Sequence, residues 1–265
     1  MLYAARRWRG AAMSHCGTLY LVPAPLDFGC NTQAPLTASM PQATLQLAAT
    51  IEHWVCENAK STRAYLKRIA ELYTLSAPLQ AMQLQELPRE VHKKGDHQGG
   101  FDARPLLQAA LQGHNVGLVS EAGMPAVADP GSSVVRAAHE LGITVVPLVG
   151  PVSLLLGLAA SGLNGQSFAF VGYVPVANDE RAKKIRELEL LALKTGQTQI
   201  LIETPYRNSA LLQTLLQTLQ PNTRLATASG LTLPQGSCHS ALVKHWKTKG
   251  WVLDNANPTV FMLGA

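Results

Sequence analysis

Charge and cysteine are both scarce in this sequence, and several familiar fingerprints are missing. Only 15% of the 265 residues are charged while 47% are hydrophobic, which argues against a disordered chain and leaves enough apolar residues for a sizeable core. The four cysteines, Cys16, Cys30, Cys56 and Cys238, are scattered with no C-x-x-C pair. They describe no disulfide framework and fit a reduced, cytoplasmic protein. Cys238-His239 with His245, and His92 with His97, come nearest to metal clusters, but neither has a carboxylate at helical spacing and no metal is expected. G-x-G-x-x-G and G-x-x-x-x-G-K-[ST] are absent, which removes the dinucleotide fingerprint and the P-loop. Ser120 lies between Val119 and Glu121 and not in a G-x-S-x-G elbow, which argues against a serine hydrolase. No apolar run follows Arg6, Arg7 and Arg9, so the start does not read as a secretion signal, and Met13 is a candidate alternative start. The charge-free stretch 145–163 has the length of a membrane span, yet Pro147, Gly150 and Pro151 would break it. It reads as a buried strand running into a buried helix, with no membrane partner.

Short β-prone runs alternate with helical periodicity along the chain. Strands are expected at 18–22, 51–57, 79–87, 116–119 and 143–149. Between them, helices are expected at 42–50, at 101–112, and from a Ser61 cap onward with Tyr65, Leu66 and Ile69 facing inward. A further helix would start at Asp129 as cap and Pro130 at its first position, burying Val134, Val135, Ala138 and Leu141. The polar stretch 92–100, HKKGDHQGG, reads as a loop. Beyond Gly150 come a helix at 152–160, a strand at 168–174 and a charged helix at 179–193, then a strand at 199–203, a helix at 206–219 and strands at 225–228 and 259–263. The class is therefore α/β, with two α/β domains and a ligand cleft between them. A boundary near Gly150-Pro151 gives an N-terminal extension (1–16), an N-terminal domain (17–149) and a C-terminal domain (150–265).

The net charge of +5 permits an anionic partner, although Arg6, Arg7 and Arg9 supply much of it. Lys183, Lys184 and Arg186 could be a nucleic-acid footprint, but Glu180, Glu187 and Glu189 alternate with them as on an ordinary exposed helix. The most unusual stretch is 119–131, VSEAGMPAVADPG, which joins a strand to a helix within a β-α-β unit. In open α/β sheets the carboxyl ends of the strands form the ligand crevice, so this small-residue loop sits where a small ligand is expected.

Other segments accompany that loop in order: Gly17-Thr18-Leu19-Tyr20-Leu21-Val22-Pro23-Ala24-Pro25, then Pro147-Leu148-Val149-Gly150-Pro151, Ala160-Ser161-Gly162-Leu163, Phe170-Val171-Gly172-Tyr173-Val174-Pro175 and Glu203-Thr204-Pro205-Tyr206-Arg207. Together they resemble the tetrapyrrole (corrin/porphyrin) methylase superfamily of enzymes that use S-adenosyl-L-methionine, and within it the ribosomal RNA small-subunit methyltransferase I branch. The resemblance implies a two-domain homodimer with the cofactor in the cleft, and it keeps RNA among the expected partners. It places Pro23, Ser120, Glu121, Ala122, Gly123, Val127, Ala128 and Pro151 on the cofactor side, with Ile202 and Glu203 approaching from the second domain. Glu57, Lys60, Arg63 and Arg207 would line the acceptor side. Plainer roles stand beside these: Glu121 on the solvent side, Ser120 capping the turn, Lys60 and Arg63 on a solvated helix face, and Arg207 paired with Glu203 four residues away.

The sequence also departs from the branch. The glutamate-aspartate-threonine-arginine motif after the second strand is Glu57-Asn58-Ala59-Lys60, a glycine-asparagine of the first loop is Asp27-Phe28, and an arginine-glutamate-leucine-threonine-lysine motif is Ser229-Gly230-Leu231-Thr232-Leu233. Serine offers neither the charge nor the planar donors of arginine. Either a changed acceptor or a degenerate, cofactor-binding or structural homodimer would follow from that loss.

Overall fold

The architecture is that of a computed structural model, which describes residues 16–94 and 100–265. Arg6, Arg7, Arg9, Met13 and His97 lie outside the described residues. Strands β1 (Thr18–Leu21), β2 (His53–Cys56), β3 (Gln83–Glu86), β4 (Val116–Val119) and β5 (Thr144–Pro147) form one sheet in the order β3-β2-β4-β1-β5. Every neighbouring pair in it is parallel. Parallel neighbours need crossovers, and the helices α1 (Gln42–Ala49), α2 (Ala59–Ala70), α3 (Arg89–Lys94), α4 (Gln108–Leu111) and α5 (Ser132–Glu140) lie in those connections.

The central strand β4, VGLV, is buried at every position, as a strand covered on both faces should be. Gly117 in it is required sterically: a Cβ there would lie 2.6 Å from the ring of Trp54, whose indole N–H donates to the Ile51 carbonyl at 3.0 Å. One face of the sheet packs Trp54, Cys56 and Val119 against Leu45, Leu66 and Ile69 of α1 and α2. The other packs Leu19, Val55 and Leu118 against Leu107, Val134 and Ala138.

The second sheet contains β6 (Phe168–Gly172), β7 (Thr198–Glu203), β8 (Arg224–Ser229), β9 (Ser237–Leu242) and β10 (Thr259–Gly264) in the order β6-β7-β10-β8-β9. Only β6 and β7 are parallel. The remaining pairs are antiparallel. Helices α7 (Asn178–Thr195), α8 (Asn208–Thr218) and α9 (Val243–Lys249) cover one face by packing Ile185, Leu212, Leu215 and Trp246 on Leu201, Leu225 and Phe261. Helix α6 (Ser153–Ser161) covers part of the other through Leu154 and Leu158 on Ile200, Val260 and Met262. The stretch 145–163 is thus a strand and a helix joined by a turn, and among the described residues no helix is long and apolar enough to cross a membrane.

Several local expectations change. The cap of α2 is Asn58, not Ser61: its side-chain oxygen accepts from the N–H groups of Lys60 and Ser61 at 2.9 and 3.2 Å. Helix α5 begins at Ser132, past Asp129 and Pro130, because Gly131 turns the chain with φ 134°. Expected helix 101–112 shrinks to a 3-10 turn at Arg104–Leu107 and the single turn of α4. The polar stretch read as a loop from residue 92 is helical as far as Lys94. Strand β9 had no distinct apolar alternation to announce it; its SCHSAL is held by pairing with β8. Glu189, read as solvated, is buried and accepts from the Gln220 N–H at 2.8 Å and the Thr223 hydroxyl at 2.5 Å, tying α7 to the turn before β8.

Candidate active site

Because β1, β2, β4 and β5 run parallel, the loops that follow them gather at one edge of the first sheet. The loops after β1 and β4 are stitched together there: Ala24 and Gly123 exchange both backbone hydrogen bonds, at 2.9 and 3.0 Å. Gly123 has φ +71°, and a Cβ would meet the Leu26 side chain at 3.3 Å, so the turn needs glycine. Ala126 and Ala128 also hold left-handed backbone, with φ 64° and 66°, which is uncommon for residues with a side chain. Strained, small-residue backbone of this kind collects at ligand sites.

Between this loop and the second sheet lies a cleft of about 550 Å³, inside the range of roughly 300–1,000 Å³ in which small-molecule sites fall. Leu26, Phe28, Glu57 and the 121–129 loop line it from one half; Ile202, Glu203, Thr204, Gly230, Leu231 and Thr259 line it from the other. The two halves touch across it: the Gln235 side-chain amide donates to the Thr32 hydroxyl at 2.9 Å.

Acid dominates the charge of the lining. Glu57, Glu121, Asp129 and Glu203 all face the cleft, and among the described residues no lysine or arginine does. Glu57 accepts the Glu121 N–H at 3.2 Å. Burial, reinforced by Glu57 and Glu121, pushes the Asp129 carboxyl up to about 7. Burial, with Asp129, Glu203 and Glu57 adding to it, also raises the Tyr173 phenol. Glu203 is buried; its Oε1 accepts the N–H and hydroxyl of Thr204 at 2.9 and 3.2 Å. Arg207 Nη2 lies 3.1 Å from the other oxygen, close enough for an ion pair but off the line of a hydrogen bond.

Of the residues singled out in the sequence, Glu57, Glu121, Ala122, Gly123, Val127, Ala128, Ile202 and Glu203 meet in the cleft wall. Pro23 does not: it is buried beneath Gly150, where a Cβ would lie 2.2 Å from its ring, and its carbonyl accepts the Tyr65 hydroxyl at 2.9 Å. Pro151 is likewise buried behind the wall, its carbonyl 3.7 Å from where a Gly123 Cβ would be. Gly123 cannot offer its backbone N–H to a ligand, since Ala24 takes it.

Ser120 and Lys60 line a second cavity of about 440 Å³ on the α2 side, together with Asp27, Asn58, Ser61 and Arg68. Arg63 is exposed on α2 and lines neither cavity. Arg207 lines neither and is engaged with Glu203. Sequence reasoning missed Phe28, Asp129 and Tyr173 as cleft residues. Tyr173 had a signal in Phe170-Val171-Gly172-Tyr173-Val174-Pro175, whereas Asp129 looked like a helix cap and Phe28 only like a departure from a pattern. Among the described residues, no group of three or more His, Cys, Asp or Glu side chains could hold a metal ion.

Comparison with known proteins gives the arrangement a context. The ribosomal RNA small subunit methyltransferase I of Vibrio cholerae is 29% identical over 214 residues, covering 81% of this chain and 65% of the relative. The protein of that name from Escherichia coli is 27% identical over 241 residues, covering 91% and 74%. That from Bacillus subtilis is 29% identical over 206 residues, covering 78% and 61%. The chain thus spans between 61% and 74% of the length of these relatives. Among solved structures, the methyltransferase CobJ superposes with a TM-score of 0.53 at 19% identity, covering 95% of this chain and 94% of the other. Uroporphyrin-III-C-methyltransferase from Thermus thermophilus gives 0.50 at 19%, covering 94% of each; at such identities the likeness concerns the fold. The sequence profile of the tetrapyrrole (corrin/porphyrin) methylases matches residues 42–244, most of the chain, and the protein therefore belongs to that family.

Proposed function

We propose that the protein is a methyltransferase that takes S-adenosyl-L-methionine in the cleft between its two sheets and transfers the methyl group to an RNA acceptor. The carrying observation is the acidic, small-residue lining shared by both halves. The group fits this lining on two counts. Glycine and alanine at 122, 123 and 128 leave the wall flat enough for close approach. Four carboxyl groups with no lining cation among the described residues favour a positively charged guest. Bound there, the cofactor would supply a methyl already activated on a sulfonium sulfur.

What remains for the chain is alignment, exclusion of water and movement of one proton. Leu26, Val127 and Ile202 form apolar contact surface on both sides of the cleft. Glu203, held by Thr204 and Arg207, offers a fixed carboxylate for an amino or hydroxyl group. Asp129, with its carboxyl near neutrality, is matched to take the proton from a hydroxyl acceptor at working pH. Calorimetry with the cofactor and its demethylated product tests the first step; folded protein that binds neither overturns the proposal. Methyl transfer from labelled cofactor into total cellular RNA tests the second.

One observation favours a second reading, a cofactor-binding homodimer without catalysis. The segment 229–233 faces the cleft through Gly230 and Leu231, which carry no acid or base, and Ser229 accepts from the Thr259 hydroxyl at 2.9 Å. Absence of methyl release with every RNA tested, alongside tight cofactor binding, would select it. Pairing of two copies accords with both readings: Phe168 and Phe170 of edge strand β6 are 41% and 37% exposed, on the sheet face that α6 leaves partly bare. Light scattering in solution at the mass of one chain would exclude a dimer.

A further inference from the structure

The second cavity has no role in the reaction so far. It adjoins the cleft, and the two share Phe28, Gly29 and Glu121 as common wall. Phe28 is 44% exposed, out of the core, at the point where the cavities meet. Its position is not left to a loose loop. Asp27, 2% exposed, receives a bidentate grip from Arg68, at 2.9 and 3.0 Å. The same carboxylate accepts the Ala34 N–H at 3.2 Å, and Arg68 donates to the Ala34 carbonyl at 2.7 Å. Burying such a pair is expensive unless the geometry is good, and the result is a pinned turn. That turn presents an aromatic ring to solvent where a planar ligand could lie against it.

The rest of the cavity narrows the ligand class. Asp27 is neutralised by Arg68, which leaves Lys60 as the cation without an ion-pair partner among the described residues. Gln33, Asn58 and Ser61 supply polar edges around it. The start of α2 is not itself an anion site. The N–H of Ala59 donates to Glu86, and those of Lys60 and Ser61 donate to Asn58. A planar heteroaromatic ring with an anion attached matches a stacking ring beside one free lysine. A space of about 440 Å³ is large enough for one nucleotide unit.

We propose that Phe28 binds the acceptor: it is a stacking platform for one base of a single-stranded RNA acceptor held in this second cavity, with Lys60 at the adjoining phosphate. The proposal rests on the methyltransferase reading, and the two can fail separately. Binding of a short, fluorescently labelled single-stranded RNA of mixed sequence is measured on the full chain by anisotropy, alongside calorimetry of the demethylated cofactor. Phe28→Ala should weaken RNA binding roughly tenfold and Phe28→Tyr by no more than about twofold. Phe28 also borders the cleft, so in Phe28→Ala cofactor-product affinity should fall by less than RNA affinity, by no more than about threefold, and in Lys60→Ala, which lines the second cavity alone, it should stay within about twofold.

Thermal unfolding of each variant shows that it is folded; Phe28 is exposed, so both should match the parent chain. RNA affinity unchanged in Phe28→Ala, with product binding intact, overturns the platform and leaves the cofactor site standing. Joint loss of both ligands in Phe28→Ala assigns the ring to the cofactor and overturns the proposal. Parent protein that binds product but no RNA, or that retains a carboxylated porphyrin in place of RNA, overturns it as well. No product binding by the parent chain removes the methyltransferase reading, and the platform with it.

Discussion

The two cavities that meet at Phe28 are built from neighbouring loops yet differ in charge. The cleft gathers Glu57, Glu121, Asp129 and Glu203 with no lining cation among the described residues. The α2 cavity balances Asp27 and Glu121 with Arg68 and Lys60. An acid-only lining selects a cationic guest and lifts the pKa of its own members; a balanced lining can accept an anion without that strain. The contrast suits a reaction in which a cationic donor and an anionic acceptor must sit side by side without exchanging places.

The largest expected effect breaks the balanced side. Arg68→Ala leaves the Asp27 carboxylate buried without its partner and should destabilise the fold by about 3 kcal/mol, read from urea unfolding midpoints, while releasing the turn that carries Phe28. A loss below about 0.5 kcal/mol, the level of an ordinary surface change, would mean that the pair does not hold the turn.

On the acidic side, Asp129 has a folded-state pKa of about 7, against about 3.9 for an unperturbed carboxyl. Between those values the native state holds the extra proton, so stability is fully present at low pH and declines as pH rises from about 4 to about 7. Asp129→Asn removes that decline. It should stabilise the protein by about 2 kcal/mol at pH 8 and by nothing measurable below about pH 4. Thermal unfolding across pH checks the sign.

A smaller effect sharpens the same contrast with ligands. As Asp129 loses its proton between pH 6 and 8, affinity for the sulfonium cofactor should rise about fivefold more than affinity for its neutral-sulfur product. Parallel pH profiles for the two ligands would show that the carboxylates do not face the sulfur. Smallest of all, Arg63→Ala should change stability by less than about 0.5 kcal/mol and leave RNA binding as it was, since Arg63 lines neither cavity. Lys60→Ala, one turn of helix earlier, should lower the salt slope of RNA binding by about one.

Much of the fold was legible because its cues are local. The apolar run at 116–119 and the charge-free 145–163 announced β4, β5 and α6 directly. Helix starts were harder, since Asn58 and Ser61, or Asp129 and Gly131, compete for the cap within one turn and only the backbone geometry decides. Strand β9 carries no periodic signal of its own and exists through its pairing with β8. In the site, the small residues of 121–128 stood out in their loop, whereas Ile202-Glu203, at the end of β7, came only from the family resemblance. The retreat of Pro23 and Pro151 behind the wall was not legible, because it depends on Gly150 letting Pro23 pack against it across the chain.

The sequence by itself determined the α/β alternation, the small-residue loop at a strand's carboxyl end and the family resemblance, all of which rest on residues a few positions apart. Tertiary structure alone decided which acids share one low-dielectric cleft and that Phe28 stands between two cavities. Those outcomes depend on burial and on contacts such as Gln235 with Thr32, between residues far apart in the chain, and neither is encoded in any short stretch of it.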